Sequence, residues 1–108
     1  MSERLELLKK HLKEDPEDSF LLFALAKEYE KKEDYSKAQS YYEILKQKDS
    51  NYIGLYYHLG KLFEMHNDID KAVEIYKEGI VRAKEQKDFH AASELNGALE
   101  GLGSYFEE

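Results

Sequence analysis

The chain has 108 residues, 42% hydrophobic and 36% charged, with a net charge of −7. That length allows one domain with a modest core, and the high charge fits a thin, solvated, helical protein better than a compact α/β enzyme. The acidic balance argues against phosphate backbones and anionic membranes as partners, since both are bound by excess Lys and Arg.

Nine tyrosines and five phenylalanines argue against disorder. The absence of cysteine rules out disulfides, thiolate metal sites and a cysteine nucleophile. Met1 to Asp15 is charged and amphipathic, which is unlike a signal peptide. No apolar run approaches the roughly 20 residues of a membrane helix. A cytoplasmic location is the expectation.

Ser2 to Lys13 is predicted as a helix, with Leu5, Leu8 and Leu12 on one stripe and Ser2 as its cap. Pro16, the only proline, disfavours helical geometry in Asp15 and ends it. Phe20 to Lys32 follows, with Leu22, Leu25, Ala26 and Tyr29 at three- and four-residue steps. Asp18 or Asp15 can cap its start. After a turn at Glu33-Asp34, Tyr35 to Gln47 carries Ala38, Tyr41, Tyr42 and Leu45. Lys48 to Asn51 is a polar break.

Tyr52 to Met65 repeats the first pattern through Tyr56, Leu59, Gly60, Leu62 and Phe63. His66-Asn67-Asp68 is the turn, and Asn tolerates the left-handed geometry that ends many helices. Ile69 to Lys84 carries Ala72, Ile75, Tyr76, Gly79 and Ile80. Asp88 can cap a last helix running to about Gly101, with Ala91, Ala92, Leu95, Ala98, Leu99 and Leu102 as its stripe. Gly103 to Glu108 is expected to fray. Nothing alternates with period two, so no strand is predicted. Short connections imply that each helix runs antiparallel to the next.

Residues 19–52 and 53–86 match at a period of about 34 residues, the length of a helix-turn-helix unit in a solenoid. Leu21, Leu25, Lys27 and Glu30 match Leu55, Leu59, Lys61 and Glu64. Asp34, Lys37, Ala38 and Tyr42 match Asp68, Lys71, Ala72 and Tyr76. Small residues (Ala26/Gly60, Ala38/Ala72) suit close helix approach, where larger ones would overpack. Aromatic residues suit the wider gaps.

These residues resemble the tetratricopeptide repeat family. The first-helix signature is matched by Leu22, Leu25-Ala26 and Tyr29, then by Tyr56, Leu59-Gly60 and Phe63. The second-helix signature is matched by Tyr35, Ala38 and Tyr42, then by Ile69, Ala72, Tyr76 and Gly79. Leu45 stands where a small residue is usual, and Ser50 and Lys84 where Pro is usual. The resemblance implies an all-α fold of antiparallel helix pairs in a right-handed superhelix, with about six helices. It divides one domain, 1–108, into an N-terminal half-repeat helix (2–13), repeat one (19–52), repeat two (53–86) and a capping helix (87–102).

The resemblance further implies that first helices line a concave surface. By register this surface carries Phe20, Phe23, Lys27, Glu30 and Lys31, then Gly54, Tyr57, His58, Lys61 and Glu64, with Asp88, Ala91 and Leu95 from the cap. The partner-binding residues expected are Phe20, Phe23, Lys27, Lys31, Tyr57, His58 and Lys61. Aromatic side chains supply contact area at low entropy cost. Lysines suit an acidic segment or a terminal carboxylate. The competing reading is that Phe23 and Tyr57 only pack against neighbouring helices. One subclass of the family clamps a C-terminal carboxylate with Lys, Asn, Asn, Lys and Arg. The aligned positions here are Phe23, Lys27, His58, Asp88 and Ala92, so that mode is not expected.

Other chemistry finds no support. His11, His58, His66 and His90 include no i,i+4 pair for zinc, and His90 with Glu94 reads as a surface pair. Asn67-Asp68-Ile69-Asp70 lacks the spacing and central Gly of a calcium loop. No phosphate-binding glycine loop or Ser-His-Asp arrangement is present. The expectation is a non-catalytic interaction scaffold without a cofactor or metal. Its partner would be a protein or peptide with an acidic or aromatic segment, and neither nucleic acid nor membrane. The alternative is self-association as a homodimer, through Leu7 or Tyr105-Phe106, because repeat arrays usually need about three repeats.

Overall fold

Each predicted helix forms. The computed structural model describes residues 3–103, as α1 (Glu3–Glu14), α2 (Ser19–Lys31), α3 (Tyr35–Lys48), α4 (Gly54–Met65), α5 (Ile69–Glu85) and α6 (Phe89–Glu100). No strand occurs among the described residues. The Ser2 cap and the Tyr105-Phe106 interface lie outside them.

The turns show why the helices stop where they do. Glu33, Asn67 and Lys87 have φ of 63°, 60° and 61°. At the first, the Glu33 N–H donates to the Glu30 carbonyl at 2.9 Å and the Asp34 N–H donates to the Tyr29 carbonyl at 2.9 Å. Asn67-Asp68 and Lys87-Asp88 repeat that pair of bonds. A left-handed residue followed by this double bond is the Schellman ending. The aspartate after it then caps the next helix, accepting from Lys37, Lys71 and Ala91 at 3.3, 3.3 and 3.1 Å. One dipeptide thus ends one helix and starts another. Two of these three left-handed residues are neither Gly nor Asn, and each bears a steric cost.

α4 begins two residues later than its periodicity predicts. The Tyr52 N–H donates to the Asp49 carbonyl at 3.1 Å, which holds Tyr52 in the preceding turn. Its ring packs against Phe23 at 5.1 Å instead of joining the helix.

The described residues divide into two compact units that part between Tyr52 and Ile53. In the first, α2 pairs with α3 and α1 packs on α2. Its core is Leu5, Leu8, Leu22, Leu25, Ala26, Tyr29, Ala38, Tyr42 and Leu45. Arg4 reaches from α1 to the nearly buried carboxylate of Glu28 on α2, at 3.2 Å. Ser19 donates to Asp49 at 2.7 Å, joining the start of α2 to the end of α3.

In the second unit α4 pairs with α5, and α6 packs on α5 and touches α4. Its core is Leu55, Tyr56, Leu59, Leu62, Phe63, Ala72, Ile75, Tyr76, Ala83, Ala92, Leu95 and Leu102. Two glycines make room for bulky neighbours. A Cβ on Gly60 would lie 2.2 Å from the Tyr76 ring, and one on Gly79 would lie 2.6 Å from the Tyr56 Cβ and 2.9 Å from Leu95. Leu95 is therefore core, although its register suggested an open face.

Candidate functional site

Helix α2 buries one side and leaves Phe20, Lys27 and Lys31 on the other. These three, with Phe23, Ala24, Arg4, Glu28 and Glu30, line a groove of about 600 Å³ in the first unit. Phe20 is 64% exposed. Phe23 is half-buried, because its ring meets Tyr42 edge-on at 5.9 Å and Tyr52 at 5.1 Å. Part of its apolar surface is therefore already used in packing.

Both carboxylates of the groove are engaged. Glu28 holds Arg4, and Glu30 accepts a short hydrogen bond from the Tyr42 hydroxyl. Lys27 and Lys31 form no ion pair among the described residues. The groove therefore combines an exposed aromatic ring with two uncompensated ammonium groups.

The second unit carries a different face. Tyr57 is 39% exposed, with its ring edge-on to His58 at 5.9 Å and the Lys61 ammonium 5.4 Å from its centroid. Lys61 also pairs with Glu64 at 3.6 Å. Tyr57 lines a smaller groove, about 220 Å³, with Ile53, Gly54, Asp88, His90, Ala91, Glu94 and Leu95. Lys61 is thus partly neutralised, whereas its counterpart Lys27 is not.

Glu30 and Glu64 sit on these faces by register, yet each serves the core. Tyr76 donates to Glu64 as Tyr42 does to Glu30. Burial first, and then the carboxylate, hold both phenols well above the ordinary tyrosine range. Tyr56 is pushed up to about 12 by burial and then by Glu78, to which it donates at 3.4 Å. These hydroxyls remain donors at neutral pH.

Sequence register brings Phe20, Phe23, Lys27 and Lys31 to one groove, and Tyr57, His58 and Lys61 to one neighbourhood. It missed Arg4, which comes from a different helix. The available signal was its place one turn before Leu8, on the packing side of α1. His90 and Glu94 do form the expected surface pair, at 3.8 Å. Among the described residues no cluster of His, Asp and Glu is arranged to hold a metal, and no helix is long and apolar enough to cross a membrane.

No family model matches the chain, and no curated protein gives a significant match. Solved structures do. The solution structure of a tetratricopeptide repeat domain protein from Salinibacter ruber is 41% identical, with a TM-score of 0.76, covering 81% of this chain and 88% of that one. A crystal structure of a tetratricopeptide repeat domain protein from the same organism is 38% identical, with a TM-score of 0.78, covering 81% and 97%. A Bordetella parapertussis protein shares the fold at 24% identity, with a TM-score of 0.82, covering 97% and 91%.

Proposed function

The chain belongs to the tetratricopeptide repeat family, a fold of protein–protein interaction modules, and from that premise we propose a non-catalytic cytoplasmic scaffold that holds a partner peptide or helix against its first helices. The repeat assignment is part of this reading: a half-repeat helix at 2–13, repeats at 19–52 and 53–86, and a cap at 87–102. Phe20, Phe23, Lys27 and Lys31 form the main contact, and Tyr57, His58 and Lys61 a second.

One observation carries the reading. An exposed phenylalanine lies beside two lysines without carboxylate partners, in a protein of net charge −7. An exposed aromatic in a groove is available contact area, and uncompensated ammonium groups favour carboxylates. The partner segment is acidic with an apolar or aromatic anchor.

The test is affinity purification from the source cells, comparing wild type with Lys27→Glu/Lys31→Glu. Both lysines are exposed, so the variant should fold. A partner held by wild type and lost by the variant supports the groove. Identical recovery from both would sink it and favour self-association, which sedimentation velocity would then measure.

A further inference from the structure

We infer that the first unit has a second docking surface, between α1 and α3, for a partner-protein segment bearing paired carboxylates beside an apolar side chain. Lys9, Leu12, Lys13, Pro16 and Tyr41 line a groove of about 370 Å³ there. It shares no residue with the α2 groove.

Its floor is rigid. Tyr41 stacks on the buried Tyr29, with centroids 5.5 Å apart and planes 8° from parallel. The Lys9 and Lys37 ammonium groups lie 5.8 and 5.4 Å from the Tyr29 centroid. A ring already fixed by stacking gives up little entropy when a ligand covers it. Leu12 and Pro16 complete an apolar strip beside it.

Charge selects the occupant. The lining holds two lysines and no carboxylate. Lys9 pairs with Glu6 at 3.9 Å. Lys13 forms no ion pair among the described residues. Over the whole chain acidic groups dominate, with 23 Asp and Glu against 16 Lys and Arg. Lys9 and Lys13 stand one helical turn apart, with Cβ atoms about 5–6 Å from each other. Alternate carboxylates on an extended peptide recur about 6.6 Å apart, a comparable spacing. A nucleic-acid strand carries a charge at every phosphate, so the net charge of −7 opposes it more than a protein segment with two carboxylates, and a protein segment is favoured.

The experiment titrates the full chain, 15N-labelled, with a short synthetic peptide of alternating glutamate and leucine ending in phenylalanine. Saturable amide shifts are expected at Lys9, Lys13 and Tyr41. The Lys13→Glu variant leaves the Lys9–Tyr29 contact intact and should weaken binding several-fold. Adding Lys9→Glu should bring the loss to about tenfold or more, as two charge-assisted contacts are reversed. Shifts confined to Phe20, Phe23 and Lys27 would overturn this inference while leaving the α2 groove standing. Undiminished affinity at this site in Lys13→Glu, or no saturable shift, would overturn it as well.

Discussion

At matched positions the α2/α3 hairpin carries Leu25, Ala38 and Tyr42, and the α4/α5 hairpin carries Leu59, Ala72 and Tyr76, all of them fully buried. On the open faces the match is only partial: Lys27 recurs as Lys61 and Glu30 as Glu64, but other positions change. Phe20 and Lys31 in the first hairpin correspond by register to Gly54 and Met65 in the second, all four exposed. Lys27 is unpaired among the described residues, while Lys61 is held by Glu64 and Tyr57. Leu25, Ala38 and Tyr42 thus recur inside the core, while Phe20 and Lys31 do not recur on the open face. Core positions diverge as well, one pair of them by compensation. Leu22 and Leu45 in the first hairpin become Tyr56 and Gly79 in the second, a larger residue set against a smaller one.

A charge in the repeated core should have the largest effect. Ala38→Arg places a guanidinium in a fully buried helix contact and should abolish folding of the first unit, read as lost helical circular dichroism. The compensating pair comes next. Gly79→Leu alone should cost about 3 kcal/mol or more, because its Cβ already collides with Tyr56. Tyr56→Leu in the same chain should recover part of that, making the second hairpin resemble the first. Recovery should stay incomplete, since Leu95 also closes on Gly79. Chemical denaturation of the single and double variants tests both statements.

The repeated Tyr–Glu bonds should give smaller losses. Glu30→Ala or Glu64→Ala should each cost about 1–3 kcal/mol by removing the carboxylate to which a buried tyrosine hydroxyl donates. The same phenols predict alkaline behaviour. An unfolded tyrosine ionises near pH 10. The folded hydroxyls hold their protons more tightly, so their stabilisation is complete below about pH 10 and is lost as pH rises through the folded values. A urea midpoint that stayed flat between about pH 9 and 12 would contradict this.

The smallest effect lies in the turns. Glu33→Gly and Lys87→Gly should each raise stability by about 0.5–1 kcal/mol, because glycine adopts the left-handed region without penalty. Asn67→Gly should gain less, since Asn tolerates that geometry. Equal gains at all three positions would show that side-chain type does not set the cost.

Much of this fold was legible along the chain because its signals are local. The three- and four-residue apolar steps predicted the helices, and Asp18 and Asp88 cap their helices as expected, while Asp34 and Asp68, read only as turn residues, cap theirs too. The late start of α4 was not legible, because a tertiary contact between Tyr52 and Phe23 competes with helical periodicity. Register also put Glu30 and Glu64 on an open face without revealing that each answers a buried tyrosine twelve residues on.

The sequence by itself determined the helices, the repeat, its period and the small residues at close contacts, since each follows from neighbours within one or two turns or from a fixed offset. Only the tertiary structure decided which charges are already neutralised. It sets Arg4 of α1 on Glu28 of α2, and leaves Lys27, Lys31 and Lys13 without an ion pair among the described residues. The physical reason is distance. Coulomb energy and hydrogen bonding fall away within a few ångströms, and whether two groups come that close depends on helix packing, which no local pattern encodes.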